Sequence, residues 1–469
     1  MTENTFRAGV GRVTITPPLT APHASWGAQV HVLPDGVESD LWATALVVDD
    51  GTTRAAWIDL DVVIVTKPES DAIRARVGEE LGIPPEAVRV SVTHNHAGPP
   101  PSAWNWTRQG QDALEGYYAL LPEMAAGAAR LALQGLRPAR VKAGSGESRV
   151  AVNRRETAPD GRMVTGVNPD GLIDPQVFVL RIDDQAGGPI AAVVGYTMHP
   201  TTMGPSNRLI SSDWPGYLKR TVETITGAPC LFAQGATGNV GPGPDGFTDD
   251  ARVIQRIGGE VGCEAARVYL GLEVAGVKHR HERTWESGAP LGKWVREQGA
   301  EADADVQVMS RTVHLPLIEQ PPLDEAQARV DAAQERLDTL KQQGAPAAEV
   351  EAATFVVKRA NMANSRAATY GGQETFPVEV HLLKIGPAVI AGVEGEPFAE
   401  LGLAVKAASP LANTWFGGYT GGWAGYVPTA EAYPLQGYEV ETSPFSPEAA
   451  DILVSETVAA LRDLVAVRG

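Results

Sequence analysis

Short apolar runs closed by turn residues alternate with amphipathic helical stretches from early in the chain, and this alternation restricts it to the α/β class. Residues 44–50 (TALVVDD), 54–65 (RAAWIDLDVVIV) and 88–94 (VRVSVTH) have the length and β-branched content of buried strands. Between the last two, 69–82 (ESDAIRARVGEELG) reads as a helix closed by Gly82. A second helix is predicted over 115–136 and a third within 211–227. Residues 177–184 and 189–200 read as the arms of a hairpin, and 378–408 as a hairpin turning at Gly386-Pro387, followed by a helix with Pro397 in its first turn. Hairpins beside a strand–helix–strand unit make the sheet mixed. From Leu323 to about Ser365 the composition shifts to Ala, Glu, Gln and Arg, with Val330, Leu337 and Leu340 on one helical face and a break at Gly344-Ala345-Pro346. The expected architecture is one large α/β domain over 1–469, a mixed β-sheet flanked by helices, with a helical hairpin inserted at about 323–365.

Charge removes several function classes. Lys plus Arg total 39 against 57 for Asp plus Glu, a net charge of −18 over 469 residues. A nucleic-acid groove needs a basic patch that this balance does not suggest. No apolar run approaches the ~18 residues of a membrane span, and the N-terminal residues lack the basic and apolar regions of a secretory signal. Cys230 and Cys263 sit among apolar neighbours and read as buried free thiols. These features predict a cytoplasmic protein with no membrane insertion; a homo-oligomer is compatible with them.

Three predicted strands end in groups able to do chemistry. In 88–96, Val88, Val90, Val92, His94 and His96 share one parity, so a strand would aim both histidines to one side as it runs into Gly98-Pro99-Pro100. Such a pair serves a metal or is simply hydrogen-bonded in a loop; Lys278-His279-Arg280-His281 has the same spacing among charges and reads as a solvated strand. The run 189–200 ends in His199, held extended by Pro200. The run ending at Glu394 and Glu396 precedes a helix, where a carboxylate also suits the helix dipole. Residues 416–439 carry Tyr419, Trp423, Tyr426, Tyr433 and Tyr438 among glycines, either a packed loop or a pocket wall. Ligands gather outside the carboxyl ends of strands in α/β sheets, and two imidazoles with one carboxylate form a common first shell for catalytic zinc. Trp104 and Trp106 follow the histidine pair and either line a pocket mouth or serve packing.

Several stretches in fixed order resemble the neutral ceramidase family, specifically its N-terminal catalytic domain. They are GVGRVTITPP (9–18), HNHAGPP (94–100), VNRR (152–155), HPTTM (199–203), NRLISSD (207–213), GNVGPG (238–243), GEPF (395–398) and YVPTAEAYPLQGYE (426–439). The resemblance implies a zinc hydrolase with one Zn²⁺ per chain, held by His94, His199, Glu396 and Tyr426. It implies His96 for proton transfer, and Arg154 and Tyr438 for positioning the substrate and polarising its carbonyl, which a metal-activated water attacks. The chain departs from the family where a serine implicated in catalysis or in holding substrate hydroxyls is replaced by Gly241. That loss argues against ceramide itself as substrate, as do the expected absences of a signal peptide and of the family's C-terminal β-rich domain. The function expected is hydrolysis of a small or moderately apolar N-acyl amide, with Gly241, Trp104 and Trp106 lining the substrate site. An esterase or lactonase on the same residues, and a non-catalytic binding protein that keeps the metal, are the alternatives.

Overall fold

Alternation along each strand decides what the sheets bury. In the strand Trp42–Asp49, Ala43, Ala45 and Val47 face one apolar cluster while Leu46 and Val48 face another, so both faces are covered. The computed structural model describes residues 6–23, 25–102, 108–272, 277–298 and 304–466. The chain begins with β1 (Arg7–Thr14), β2 (Gly36–Val37), β3 (Trp42–Asp49), β4 (Arg54–Leu60), α1 (Lys67–Leu81), β5 (Val88–Val92) and α2 (Gln111–Gln134). It continues with β6 (Arg137–Glu147), β7 (Ala151–Thr157), β8 (Met163–Asn168), β9 (Gln176–Asp184), β10 (Pro189–Tyr196), β11 (Leu209–Ile210), α3 (Asp213–Thr226), β12 (Cys230–Gln234), β13 (Val240–Pro242) and α4 (Ala251–Gly271). Then come β14 (Val277–Trp285), β15 (Leu291–Gln298), β16 (Val306–Pro316), α5 (Leu323–Gln342) and α6 (Ala347–Tyr370). The last part holds β17 (Thr375–Ile385), β18 (Ala388–Val393), β19 (Glu396–Pro397), α7 (Ala399–Ala408), β20 (Asn413–Gly417), β21 (Tyr426–Val427), α8 (Tyr438–Thr442) and α9 (Ala449–Ala466).

Eight strands form one mixed sheet in the order β12-β10-β9-β6-β1-β3-β4-β5, with β10–β12 and β4–β5 parallel and the other pairs antiparallel. A second sheet runs β16-β17-β18-β20. The two sheets pack face to face through Leu46, Trp57, Phe178, Val193, Ile390 and Trp415. Helices α1 and α2 cover the β3-β4-β5 end of the first sheet's outer face, and α3 and α4 cover its β9-β10-β12 end. Helices α7 and α9 cover the outer face of the second sheet. The α/β class with mixed sheet holds, but the molecule stacks two sheets between helical layers where the sequence predicted one. A strand buried on both faces reads the same whether a helix or a second sheet covers it.

Local chemistry explains the element ends. Helix α1 starts with a capping box, in which Thr66 accepts from the Glu69 N–H and the Glu69 carboxylate accepts from Thr66. Glycines 9 and 11 of β1 lie under α2, where a Cβ would meet the Ala132 carbonyl oxygen at 2.1 Å and that of Ala128 at 2.3 Å. The inserted hairpin is present as α5 and α6, the latter extending to Tyr370. Two details correct the sequence reading, and a third decides an alternative it left open. Cys263 is exposed while Cys230 is buried, because Cys263 falls on the solvent side of α4. Pro397 lies in β19, and α7 begins two residues later at Ala399, after Phe398 as N-cap. Tyr433 does not face a pocket, since its hydroxyl donates to the Phe445 carbonyl at 2.6 Å. Among the described residues no helix is long and apolar enough to cross a membrane.

Candidate metal centre

The ends of β5, β10 and β18 bring three histidines and one glutamate to a single buried point. His94 leaves β5 with φ +64°, a backbone conformation that bulky residues adopt only under constraint. Asn95 fixes the turn, its Oδ1 accepting from the Ala97 N–H and its Nδ2 donating to the Ser211 carbonyl. His199 is held from behind by Trp214, whose Nε1 donates to the His199 carbonyl. Asp213, beside Trp214, accepts from the Met203 N–H. The stretch 207–213 is therefore scaffolding for both histidine loops.

Each histidine directs Nδ1 at a backbone carbonyl: His94 at Val63 (2.7 Å), His199 at Thr237 (2.8 Å) and His96 at Ser25 (3.1 Å). Nδ1 therefore carries the proton and Nε2 an open lone pair. The Nε2 of His94 lies 3.1 Å from both the Nε2 of His199 and that of His96. The Glu396 Oε2 lies 3.6 Å from His94 Nε2 and 3.4 Å from His199 Nε2. Lone pairs this close, with no proton between them, repel one another unless a cation sits among them. The separations match the ~3.3 Å ligand–ligand edge that tetrahedral zinc bonds of ~2.0–2.1 Å imply. His94, His96 and His199 are thus able to hold a metal ion, their ligand atoms all lying within 4.8 Å of one another. Burial pushes His94 and His96 down to about 3 and His199 to about 4, which keeps all three neutral and ready to ligate. Burial alone would raise the Glu396 carboxyl, but the adjacent His94 and His199 rings and the Trp423 N–H hold it below the usual carboxylate range.

Both Glu396 oxygens are oriented by aromatic residues. Trp423 Nε1 donates to Oε1 at 2.8 Å and the Tyr419 hydroxyl to Oε2 at 3.2 Å. Tyr419 also lies against His94, ring centroids 4.1 Å apart, with φ +57°. The sequence reading placed both in the aromatic loop without giving either a part in the metal site. Tyr426 pairs in register with Glu396 across β19 and β21, and its hydroxyl accepts from Arg154 at 3.1 Å. Arg154 and Arg155 are buried and share Glu439, each at 2.8 Å. Glu439, like Tyr419 and Trp423, was missed by sequence reasoning; its only signal was that two adjacent arginines on a buried strand require a carboxylate partner. Tyr438 is 44% exposed, its ring 5.8 Å from that of Tyr426, and its hydroxyl makes no hydrogen bond among the described residues. Gly241 lies in β13, where an added Cβ would find only ordinary contact with Arg154 at 3.5 and 3.6 Å. Glu394 stays outside the cluster; burial and the charge of Glu379 raise it to about 7. Trp104 and Trp106 lie outside the described residues.

Residues 6–242 match the family model for neutral/alkaline non-lysosomal ceramidase, N-terminal. The chain is 26% identical over 249 residues to neutral ceramidase of Pseudomonas aeruginosa, covering 50% of this chain and 37% of that protein. It is 26% identical over 230 residues to neutral ceramidase A of Dictyostelium discoideum, 46% of this chain and 31% of that one. The matches therefore span about a third of these relatives' lengths. In three dimensions the chain is similar to the crystal structure of neutral ceramidase from P. aeruginosa, with a TM-score of 0.66, 20% identity, and coverage of 98% of this chain and 75% of that one. A ceramidase complexed with C2 gives the same TM-score at 19% identity, covering 98% of this chain and 76% of the other. At these identities the structural likeness establishes the shared fold.

Proposed function

This chain belongs to the neutral/alkaline non-lysosomal ceramidase family, and from that premise we propose that it is a zinc-dependent hydrolase of an N-acyl amide bond. The observation that carries the reading is the convergence of three unprotonated imidazole nitrogens and one ionised carboxylate in a buried site. His94, His199, Glu396 and Tyr426 would hold one Zn²⁺. When bound, such an ion acidifies water and polarises a carbonyl. The remaining groups are this chain's own contribution. His96 presents Nε2 to the site while Ser25 holds its Nδ1–H; it would take on Nε2 the proton that the attacking water gives up and pass it to the departing nitrogen. Burial holds the free ring neutral, with its Nε2 lone pair open to accept a proton. Arg154, fixed by Glu439, donates to the Tyr426 hydroxyl and keeps that ring in place. Tyr438 offers a free phenol to the substrate carbonyl, where negative charge develops.

Ceramide itself is a poor candidate. Gly241 offers no side chain to a substrate hydroxyl, and packing does not force the glycine, because a Cβ fits there. The test is to assay zinc-loaded protein against N-acyl amides and matched esters of short and long chains. Release of free acid and amine from an amide, abolished by chelation and restored by zinc, supports the reading. Full zinc content with no amide turnover defeats it, and turnover confined to esters replaces it with an esterase.

A further inference from the structure

The hairpin of β14 and β15 differs from the rest of the molecule in pairing, burial and charge. Its two strands form a sheet of their own, with no third strand among the described residues, so both outer edges are open. From His279 to Glu297 every residue is exposed except Val295, which is half-buried. A two-stranded hairpin alone in water is at best marginally stable. This one nonetheless carries large apolar side chains into solvent: Trp285 is 56% exposed, Trp294 61% and Leu291 51%. Trp285 and Leu291 oppose each other in the last register pair before the turn, and Arg283 and Lys293 oppose each other two steps further back. The Arg283 guanidinium lies 5.8 Å from the Trp285 ring centroid, and His281 packs edge-on against Trp294 with centroids 5.5 Å apart.

Residues 277–298 hold five basic residues and three acidic ones, a net charge of +2 in a chain of −18, and the rest of the chain carries −20. Trp and Arg are the side chains that concentrate binding energy in protein interfaces. The complementary pattern occurs elsewhere in the same chain. From Ala430 to Ala460 there are six acidic residues and no Lys or Arg. Glu439 is buried against Arg154 and Arg155, and Glu456 lies beside Arg311. The other four, Glu431, Glu441, Glu448 and Asp451, are exposed and form no ion pair among the described residues. The hydrogen bond from Tyr433 to the Phe445 carbonyl folds this stretch on itself, and Leu435, between Glu431 and Glu441 in the chain, is 58% exposed.

We infer that the β14–β15 hairpin is a dimerisation arm, which docks on the 430–451 face of a second copy of this chain and receives that copy's arm in return. Charge selects this occupant: the arm's basic side chains meet carboxylates that have no cation of their own, and its Trp and Leu side chains meet Leu435. Within its own chain the arm's side chains stand exposed, so it is not seated on that face in cis. Arm-to-arm pairing would bring like charges together, and an anionic membrane would repel a chain of net charge −18. Exchange of two arms gives a closed two-fold dimer. It would cover four tryptophans and two leucines together with the surfaces that receive them, about 1,400 Å² in all, within the ~1,200–2,000 Å² of stable interfaces.

The test is sedimentation equilibrium of the intact chain at micromolar concentration. Wild type should sediment at twice the 49.6 kDa of one chain, and added salt should weaken the dimer. Arg283→Glu with Lys293→Glu, and separately Glu431→Lys with Glu441→Lys, should each weaken association about 100-fold. Mixing these two variants should restore a dimer, because each arm then meets a face of opposite charge. Trp285→Ser with Trp294→Ser should leave a monomer whose far-ultraviolet circular dichroism matches wild type, since both rings are exposed. Should a charge variant misfold, the tryptophan variant decides alone. A monomeric wild type, a dimer that survives the tryptophan changes, or folded charge variants that stay monomeric when mixed would each overturn the inference. So would binding of a monomeric wild type to vesicles of phosphatidylcholine and phosphatidylserine, which would assign the hairpin to a membrane surface instead.

Discussion

Glu439 holds two buried guanidinium groups with its two oxygens, so its removal is felt in both stability and function. Glu439→Gln leaves Arg154 and Arg155 without a compensating charge, and urea unfolding should show a loss of about 3 kcal/mol or more. Its activity should fall further than its metal content, because Arg154 loses its anchor while the histidines keep theirs. Tyr438→Phe isolates a different part: kcat should drop about 10²- to 10³-fold with zinc content unchanged, and loss of metal in that variant would contradict the role assigned to it. Some of these residues were visible in the sequence and others were not. His94, His96, His199 and Glu396 stand where an apolar run gives way to turn residues, and that pattern is local. Glu439, Tyr419 and Trp423 act through partners far away in sequence, as in the 285-residue separation of Arg154 and Glu439. No local pattern encodes such pairs. His96 is a mixed case. The family resemblance gave it proton transfer alone, whereas its Nε2 lies as close to His94 as that of His199 does.

Among the elements, β1 and α2 are in unusually close contact, and Gly9 and Gly11 permit it. A methyl group at either position meets carbonyl oxygens of a helix that cannot move without leaving the core. Gly11→Ala should therefore destabilise the protein by about 1–3 kcal/mol, measured by thermal or denaturant unfolding; an unchanged melting temperature would mean that β1 and α2 can separate at no cost. The same contact gives a physical reason for the early Gly-Val-Gly stretch, which the sequence offered only as part of a resemblance. The helices and hairpins were legible because their periodicity and turn residues are local. The stacking of two sheets was not, since β3 and β18 are apolar on both faces and do not disclose what covers them. The helical hairpin was readable as an insertion. What it touches was not, because Lys358 and Tyr370 reach the carbonyls of Gly27 and Ala424, which the sequence alone does not pair with them.

At the scale of the whole molecule, acid should act through the buried histidines. Folding lowers His94, His96 and His199 to about 3, 3 and 4, below the ordinary value near 6.5 that applies once the chain unfolds. Between those limits the unfolded chain takes up protons that the folded chain refuses, so stability is fully present above about pH 6.5 and declines as pH falls toward 3–4. Metal binding declines in the same direction because it needs the neutral rings. Melting temperature and bound zinc measured from pH 8 to 5 should fall together, and a melting temperature that rises on acidification would contradict the burial of these rings. The central claim is that strand ends far apart in the sequence build one metal centre. Metal analysis of purified wild type beside His94→Ala and Glu396→Ala tests it most directly. We predict about one zinc per wild-type chain and loss of that zinc in both variants, with far-ultraviolet circular dichroism unchanged. A metal-free wild type, or variants that retain full zinc, would contradict the account.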